Sequence, residues 1–283
     1  NRYHGEINHY FLCDRGRFGH GYVNREDRPR QPWQRVVLET GQEKNILDVD
    51  GALDLAANAL RECKRIIGIG SPRASVEANF SLKQWLGADN FFSGTSAAKQ
   101  ALVEQALAIL QNTPARTPSL RDMERADAIL VLGEDVTQTA PRIALALRQA
   151  VKNKGLQMAA ANKISEWQAE GVKDITQHEK SPLFIASFAD TRLDDVAETS
   201  ARLAGDDIAR LGFAVAHEID SSAPAVSHLS DEQSRLARRI AGALLAAEKP
   251  LVVSGTGCAS MAIMQASANV AAALHAKGRK AEI

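Results

Sequence analysis

The chain has 283 residues, 45% apolar and 24% charged, and its Lys plus Arg count equals its Asp plus Glu count. That length supports one large or two ordinary domains, and the neutral balance excludes the broad basic footprint that nucleic acid or an anionic lipid surface needs. No apolar run approaches the roughly 20 residues of a spanning helix, and the polar opening Asn1-Arg2-Tyr3-His4-Gly5 is not a signal peptide.

Residues 1–50 are aromatic, charged and rich in Gly and Pro, without a sustained helical period. They read as short β-rich pieces and turns. From 51 to 283 strands and helices alternate. A helix is expected from Asp50, as its cap, to Cys63, on the apolar recurrence Leu53, Ala56, Ala57, Leu60. A short strand from Arg65 to Gly70 follows. Ser71 then caps a helix that has Pro72 in its first turn and runs to Leu86. Ala128 to Gly133 is a continuous apolar strand, buried on both faces, followed by a loop and a helix from Pro141 to Val151. Leu156 to Lys180 reads as a helix with an excursion around Trp167. Pro182 to Ser187 is a further strand, with helix expected from Asp190 to Ala204. Lys249 to Gly255 repeats the strand-to-Gly pattern, and an Ala-rich helix runs on to Lys277. The alternation predicts an α/β fold, a parallel doubly wound sheet with helices on both faces. The chain opens without Met and in mid-pattern, and Lys280 to Ile283 breaks off where a strand should begin, so both ends read as boundaries within a longer protein.

Three strand-to-helix loops bring Gly and hydroxyl residues to helix starts: Gly68–Ser75, Gly133–Thr139 and Ser254–Ser260. Gly70, Ser71, Glu134, Asp135, Ser254 and Gly255 are the candidate ligand-binding residues, because N–H groups at such positions favour phosphate and Glu134 or Asp135 suits a ribose hydroxyl. The same residues also suit tight turns and helix caps. No loop has the Walker pattern, and Gly68-x-Gly70 lacks the third Gly of a dinucleotide fingerprint. The seven His residues are scattered, and neither HExxH nor Gly-x-Ser-x-Gly occurs, so no catalytic residue is assigned. Cys13, Cys63 and Cys258 are too few for a disulfide framework and suit a reducing compartment. Cys63 reads as buried filler. Cys258 is a loop thiol with nothing evident to activate it.

Cys13 stands apart. The run Leu12-Cys13-Asp14-Arg15-Gly16-Arg17-Phe18-Gly19 resembles the last-cysteine segment of the iron–sulfur domain in the molybdopterin oxidoreductase superfamily. The segments Asp27 to Pro32, Ile67 to Val76, Val131 to Thr139, Asp190 to Asp195, Ala209 to Ala214 and Ser222 to Val226 narrow the resemblance. Together and in this order they are similar to the large iron–sulfur subunits of bacterial NADH:quinone oxidoreductase, respiratory complex I, over essentially the whole chain.

The resemblance implies a formate dehydrogenase/DMSO reductase-like fold. It divides the chain into residues 1–50, the tail of a [4Fe–4S] segment, and residues 51–283, a molybdopterin-oxidoreductase-like domain. It makes Cys13 the fourth thiolate of a [4Fe–4S] cluster, with Arg15 and Arg17 offsetting the negative charge and the other three ligands upstream of Asn1. No molybdopterin is expected in this branch, and the three loops become remnants of nucleotide sites. The implied function is electron transfer from NADH toward quinone within an oxidoreductase, this piece being scaffold without catalysis of its own. The implied partners are other complex I subunits, with NADH and quinone reached only through the whole complex, on the cytoplasmic side of the bacterial inner membrane. A molybdopterin enzyme of the formate-dehydrogenase type and a free-standing nucleotide-binding module are the alternatives.

Overall fold

A computed structural model describes residues 3–283. Contacts divide the chain into two compact units, one of residues Asp14–Ala97 and one of the residues up to Cys13 together with Ala98–Ile283.

In the unit Asp14–Ala97, α1 (Asp14–Phe18) and a 3-10 turn (Gly21–Asn24) precede a hairpin of β1 (Trp33–Leu38) and β2 (Gly41–Ile46). The hairpin is antiparallel, in register from Trp33↔Ile46 to Leu38↔Gly41, and Lys44 lies 4.8 Å over the Trp33 ring. The β-rich lead-in is therefore present, with two short helical turns ahead of it. Helix α2 (Val49–Arg61) is capped by Asp48 rather than Asp50, because the Asp48 carboxylate accepts from Gly51 N at 2.8 Å.

The strand expected over 65–70 contracts to β3 (Gly68–Ile69), since only these two residues meet a partner, β4 (Phe91–Phe92), in parallel. Helix α3 (Val76–Leu86) starts four residues later than expected. Ser71 is held in a turn by Ala74 N, and the Ser75 hydroxyl is the one that reaches the third helical N–H, on Ala78. Cys63, expected to be buried, is exposed: it follows the exposed end of α2 and donates to Ala59 O at 3.2 Å.

The second unit holds the sheet. Its elements are α4 (Ala97–Asn112), α5 (Leu120–Met123), β5 (Ala128–Leu132), α6 (Val136–Thr139), α7 (Pro141–Ala150), α8 (Asn153–Ala161), α9 (Ala169–Thr176), β6 (Leu183–Ser187), β7 (Thr199–Arg202), α10 (Gly205–Ile219), α11 (Asp231–Ala246), β8 (Pro250–Val253) and α12 (Met261–Ala276). The order is β7-β6-β5-β8, every pair parallel, with Leu130 between Phe184 and Val252. Glu282 bridges to Leu251 on the outer side of β8, and Arg116 bridges to Glu282 beyond it.

Strand side chains alternate faces with period two, and the core divides accordingly. Leu130, Leu132, Phe184 and Val252 pack with α10, α11 and α12, while Ile129, Val131, Ile185 and Val253 pack with α7. This is the α/β parallel sheet covered on both faces that the alternation predicted. At Gly212 an added Cβ would lie 2.8 Å from Ala266 Cβ and 2.9 Å from Leu132 Cδ1, so α10 meets α12 and the sheet at a glycine.

One expected helix is absent. Residues 190–204 form a turn and then the edge strand β7. The cause is Asp194, whose carboxylate accepts from Thr191 N, Thr191 Oγ1 and Ser200 Oγ, each at 3.0 Å, and pairs with Arg202. These bonds tie the turn to the strand and compete with helix formation. The excursion around Trp167 holds, with Trp167 exposed between α8 and α9.

Candidate functional site

The carboxyl ends of β5 and β8 bring two of the three Gly-rich loops together. β5 is five consecutive buried residues and stops at Gly133, whose φ of +72° favours glycine and whose N–H still donates to Ala186 O at 2.8 Å. The next residue, Glu134, turns inward and is only 7% exposed. Its Oε1 accepts from Thr139 Oγ1 at 2.7 Å and its Oε2 accepts from Gly257 N at 2.9 Å. A Cβ on Gly255 or Gly257 would come within 2.5 or 2.6 Å of Glu134 Oε2. Both glycines thus let the β8 loop close over a carboxylate.

The surrounding groups complete the knot. Ser254 Oγ donates to Leu132 O at 3.1 Å, and the Cys258 thiol donates to Gly133 O. Asp135 caps α6, accepting from Thr137 N at 3.0 Å. An apolar-lined cavity of about 180 Å³ beside Ser254 and Gly255 falls below the roughly 300–1,000 Å³ of ordinary ligand pockets.

The third loop, in the unit Asp14–Ala97, is closed in the same manner by an amide. Asn79 Oδ1 accepts from Ser71 N at 3.0 Å, and Asn79 Nδ2 donates to Ser71 O at 2.9 Å. Gly70 N donates to Phe92 O at 2.7 Å. A Cβ on Gly70 would collide with Asn79 Oδ1, so that glycine serves close approach by a neighbouring side chain. Of the six candidate loop residues, Glu134, Ser254 and Gly255 meet in one cluster, Asp135 caps the adjoining helix, and Gly70 with Ser71 form a separate one. In both clusters a side chain takes a loop N–H that a phosphate oxygen would otherwise accept from.

Burial raises the Cys258 thiol above its ordinary range, and the adjacent Glu134 carboxylate adds to the shift. Near neutral pH Cys258 is therefore a thiol, while Cys63 is exposed. We expect Cys63 to be alkylated at least about tenfold faster than Cys258, as read by mass spectrometry of iodoacetamide-treated peptides; equal rates would contradict the burial of Cys258.

Cys13 lies away from this knot in sequence and is half-buried, immediately before α1. A [4Fe–4S] cluster takes four thiolates. Among the described residues no group of three or more His, Cys, Asp or Glu is placed to hold a metal ion. Cys13 fits such a cluster as a single ligand, and the chain does not by itself carry the full set. No helix among the described residues is long and apolar enough to cross a membrane.

No family model matches the chain. Whole-chain comparison is decisive instead. It is 56% identical over 274 residues, 97% of its length, to the G subunit of NADH-quinone oxidoreductase from Pseudomonas putida. It is 53% identical over all 283 residues to the same subunit from Shewanella oneidensis and 51% to that from Escherichia coli K12. The chain belongs to the G-subunit family of NADH-quinone oxidoreductase. It spans 29–31% of the length of these relatives, so it corresponds to one segment of such a subunit. Among solved structures, the formyltransferase/hydrolase complex of Methylorubrum extorquens with methylofuran matches at a TM-score of 0.53 and 16% identity. The match covers 88% of this chain and 59% of that one. At that identity the likeness is one of fold, and it agrees with the α/β architecture.

The sequence pointed to the loops but not to Asn79, and it did not single out Thr139 at the end of the second one. The available signal was the Gly255-x-Gly257 spacing, since paired glycines mark a loop that must approach something closely.

Proposed function

We propose that this chain is the scaffold segment of the large iron–sulfur subunit of NADH:quinone oxidoreductase, and that Cys13 donates one thiolate to a [4Fe–4S] cluster. The carrying observation is the Cys13 segment, a half-buried thiol within Leu12-Cys13-Asp14-Arg15-Gly16-Arg17-Phe18-Gly19, in a chain homologous throughout to one stretch of the NADH-quinone oxidoreductase relatives. When bound, such a cluster takes up and passes on one electron at a potential set by charge, hydrogen bonding and exposure. Cys13 would hold it, and Arg15 and Arg17, close in sequence, would offset the charge of the thiolates. The other three ligands would come from outside these residues. The partners would be the remaining complex I subunits, on the cytoplasmic side of the inner membrane, with NADH and quinone met only by the whole assembly.

The α/β unit would serve as support without molybdopterin. This is favoured by the way Glu134 and Asn79 occupy loop N–H groups at Gly257 and Ser71, where a nucleotide cofactor would bind in the alternative, molybdopterin-dependent reading. Iron, sulfide and molybdenum analysis of the full-length subunit decides. Cys13→Ser is expected to remove about four irons with no molybdenum in the parent protein. Stoichiometric molybdenum, or unchanged iron in the variant, would sink the reading.

A further inference from the structure

Arg142 stands in the first turn of α7, directly after Pro141. A cation there opposes the positive end of the helix dipole, so its presence calls for a tertiary partner. It has three. Its Nε donates to Ile7 O at 2.9 Å, its Nη2 donates to Glu124 Oε1 at 3.3 Å, and its guanidinium lies 5.8 Å from the centre of the Phe11 ring. The side chain is 17% exposed, which strengthens all three contacts relative to water.

Glu124 also faces His9, with His9 Nε2 3.8 Å from Glu124 Oε2, and Arg121 pairs with Glu6 at 3.1 Å. The segment so held has its own internal order. His9 N donates to His4 O at 2.8 Å, and the Tyr3 and Tyr10 rings meet at a 48° tilt with centres 4.7 Å apart. The sheet unit therefore grips residues 6–11 through α7 and the end of α5. Cys13 follows Phe11 by two residues, a tether of roughly 7 Å at full extension.

We propose that Arg142 is the positioning residue for Cys13, fixing where the sheet unit presents this thiolate to the cluster. The inference rests on the reading of Cys13 as a cluster ligand. It gives the sheet unit a specific task, which is to set the place of the Cys13 thiolate through Phe11 and Ile7.

The test uses the full-length subunit in its assembled complex. Arg142→Ala is compared with Arg148→Ala, a control on the same helix whose guanidinium pairs with Asp195 at 2.7 Å. Hydrogen exchange of the amides of residues 6–11 is expected to rise about tenfold in Arg142→Ala. The paramagnetic resonance spectrum and midpoint potential of the Cys13-ligated cluster are expected to shift with iron content retained, and Arg148→Ala should change none of these. If Arg142→Ala does not assemble, Arg142→Lys keeps the charge, loses the fork geometry, and is read the same way. Unchanged exchange and an unchanged spectrum, in a protein where Cys13→Ser removes the cluster, overturn the positioning role and leave the ligand reading standing. Unchanged iron in Cys13→Ser overturns both.

Discussion

Glu134→Ala is expected to lower the unfolding free energy of the chain by about 1–3 kcal/mol, because it removes the side-chain acceptor of Gly257 N and opens a void at once. The carboxylate is 7% exposed and accepts from Gly257 N and Thr139 Oγ1, and that hydroxyl also lies 3.1 Å from Asp135 O. A buried group left wholly without a partner costs about 1–3 kcal/mol; the Thr139 hydroxyl keeps Asp135 O within reach, so the main terms are the lost bond to Gly257 N and the space left by the side chain. Glu134→Gln should cost less than half as much, since its amide oxygen still accepts from Gly257 N and its amide nitrogen can donate to a rotated Thr139 hydroxyl. Urea unfolding of the three proteins at constant m-value measures the difference. Equal midpoints for Glu134→Ala and the parent would show that the knot between the β5 and β8 loops contributes nothing.

The second large effect lies at the contact of α10 with α12. Gly212→Val is expected to cost about 3 kcal/mol, since even the first carbon of the new side chain would stand 2.8 Å from Ala266 Cβ and 2.9 Å from Leu132 Cδ1. Gly212→Ala adds helix propensity of up to about 1 kcal/mol, and its net cost should accordingly be smaller. Ala266→Gly removes the closest obstacle. In a double-mutant cycle Gly212→Ala with Ala266→Gly should be coupled by about 1 kcal/mol or more, in the direction of rescue. Strict additivity would mean that the helices move apart freely and that the glycine is not what sets their approach.

The sheet was legible because its signal is local. Ala128 to Leu132 and Pro250 to Val253 are unbroken apolar runs, and runs of that kind read as strands buried on both faces. Gly133 was legible as the end of the first run, and there it takes a positive φ. β7 was not legible: Thr199-Ser-Ala-Arg202 is a half-buried edge strand with neither apolar run nor clean alternation, and what makes it a strand is Asp194 gripping the preceding turn. Asp48 and Asp50 differ by two positions, and only the backbone geometry shows which carboxylate reaches Gly51 N. Cys63 looked buried because it precedes an apolar stretch, but that stretch forms only two residues of strand. In the loops the close approach was readable from the glycines, but the side chains that approach were not. Glu134 and Gly257 are 123 positions apart, and no local pattern says that one carboxylate will fill the other's loop. The reading of Cys13 as a cluster ligand rests only on the resemblance of its surroundings, since a lone cysteine carries no spacing information.

The strand order β7-β6-β5-β8 also sets a schedule for synthesis. β5 is made first of the four yet ends in the interior, and its junction with β8 joins residues such as Leu132 and Ser254, 122 positions apart. At the 5–20 residues per second of translation, that interval is roughly 6–25 s. Throughout it the β8-facing edge of β5, Ala128 to Val131, lacks its strand partner. Parallel pairing over such a separation is intrinsically slow, and an open apolar edge is the place where a nascent chain pairs wrongly. The late arrival of β8 thus makes this stretch of the message the one in which a chaperone has most to shield.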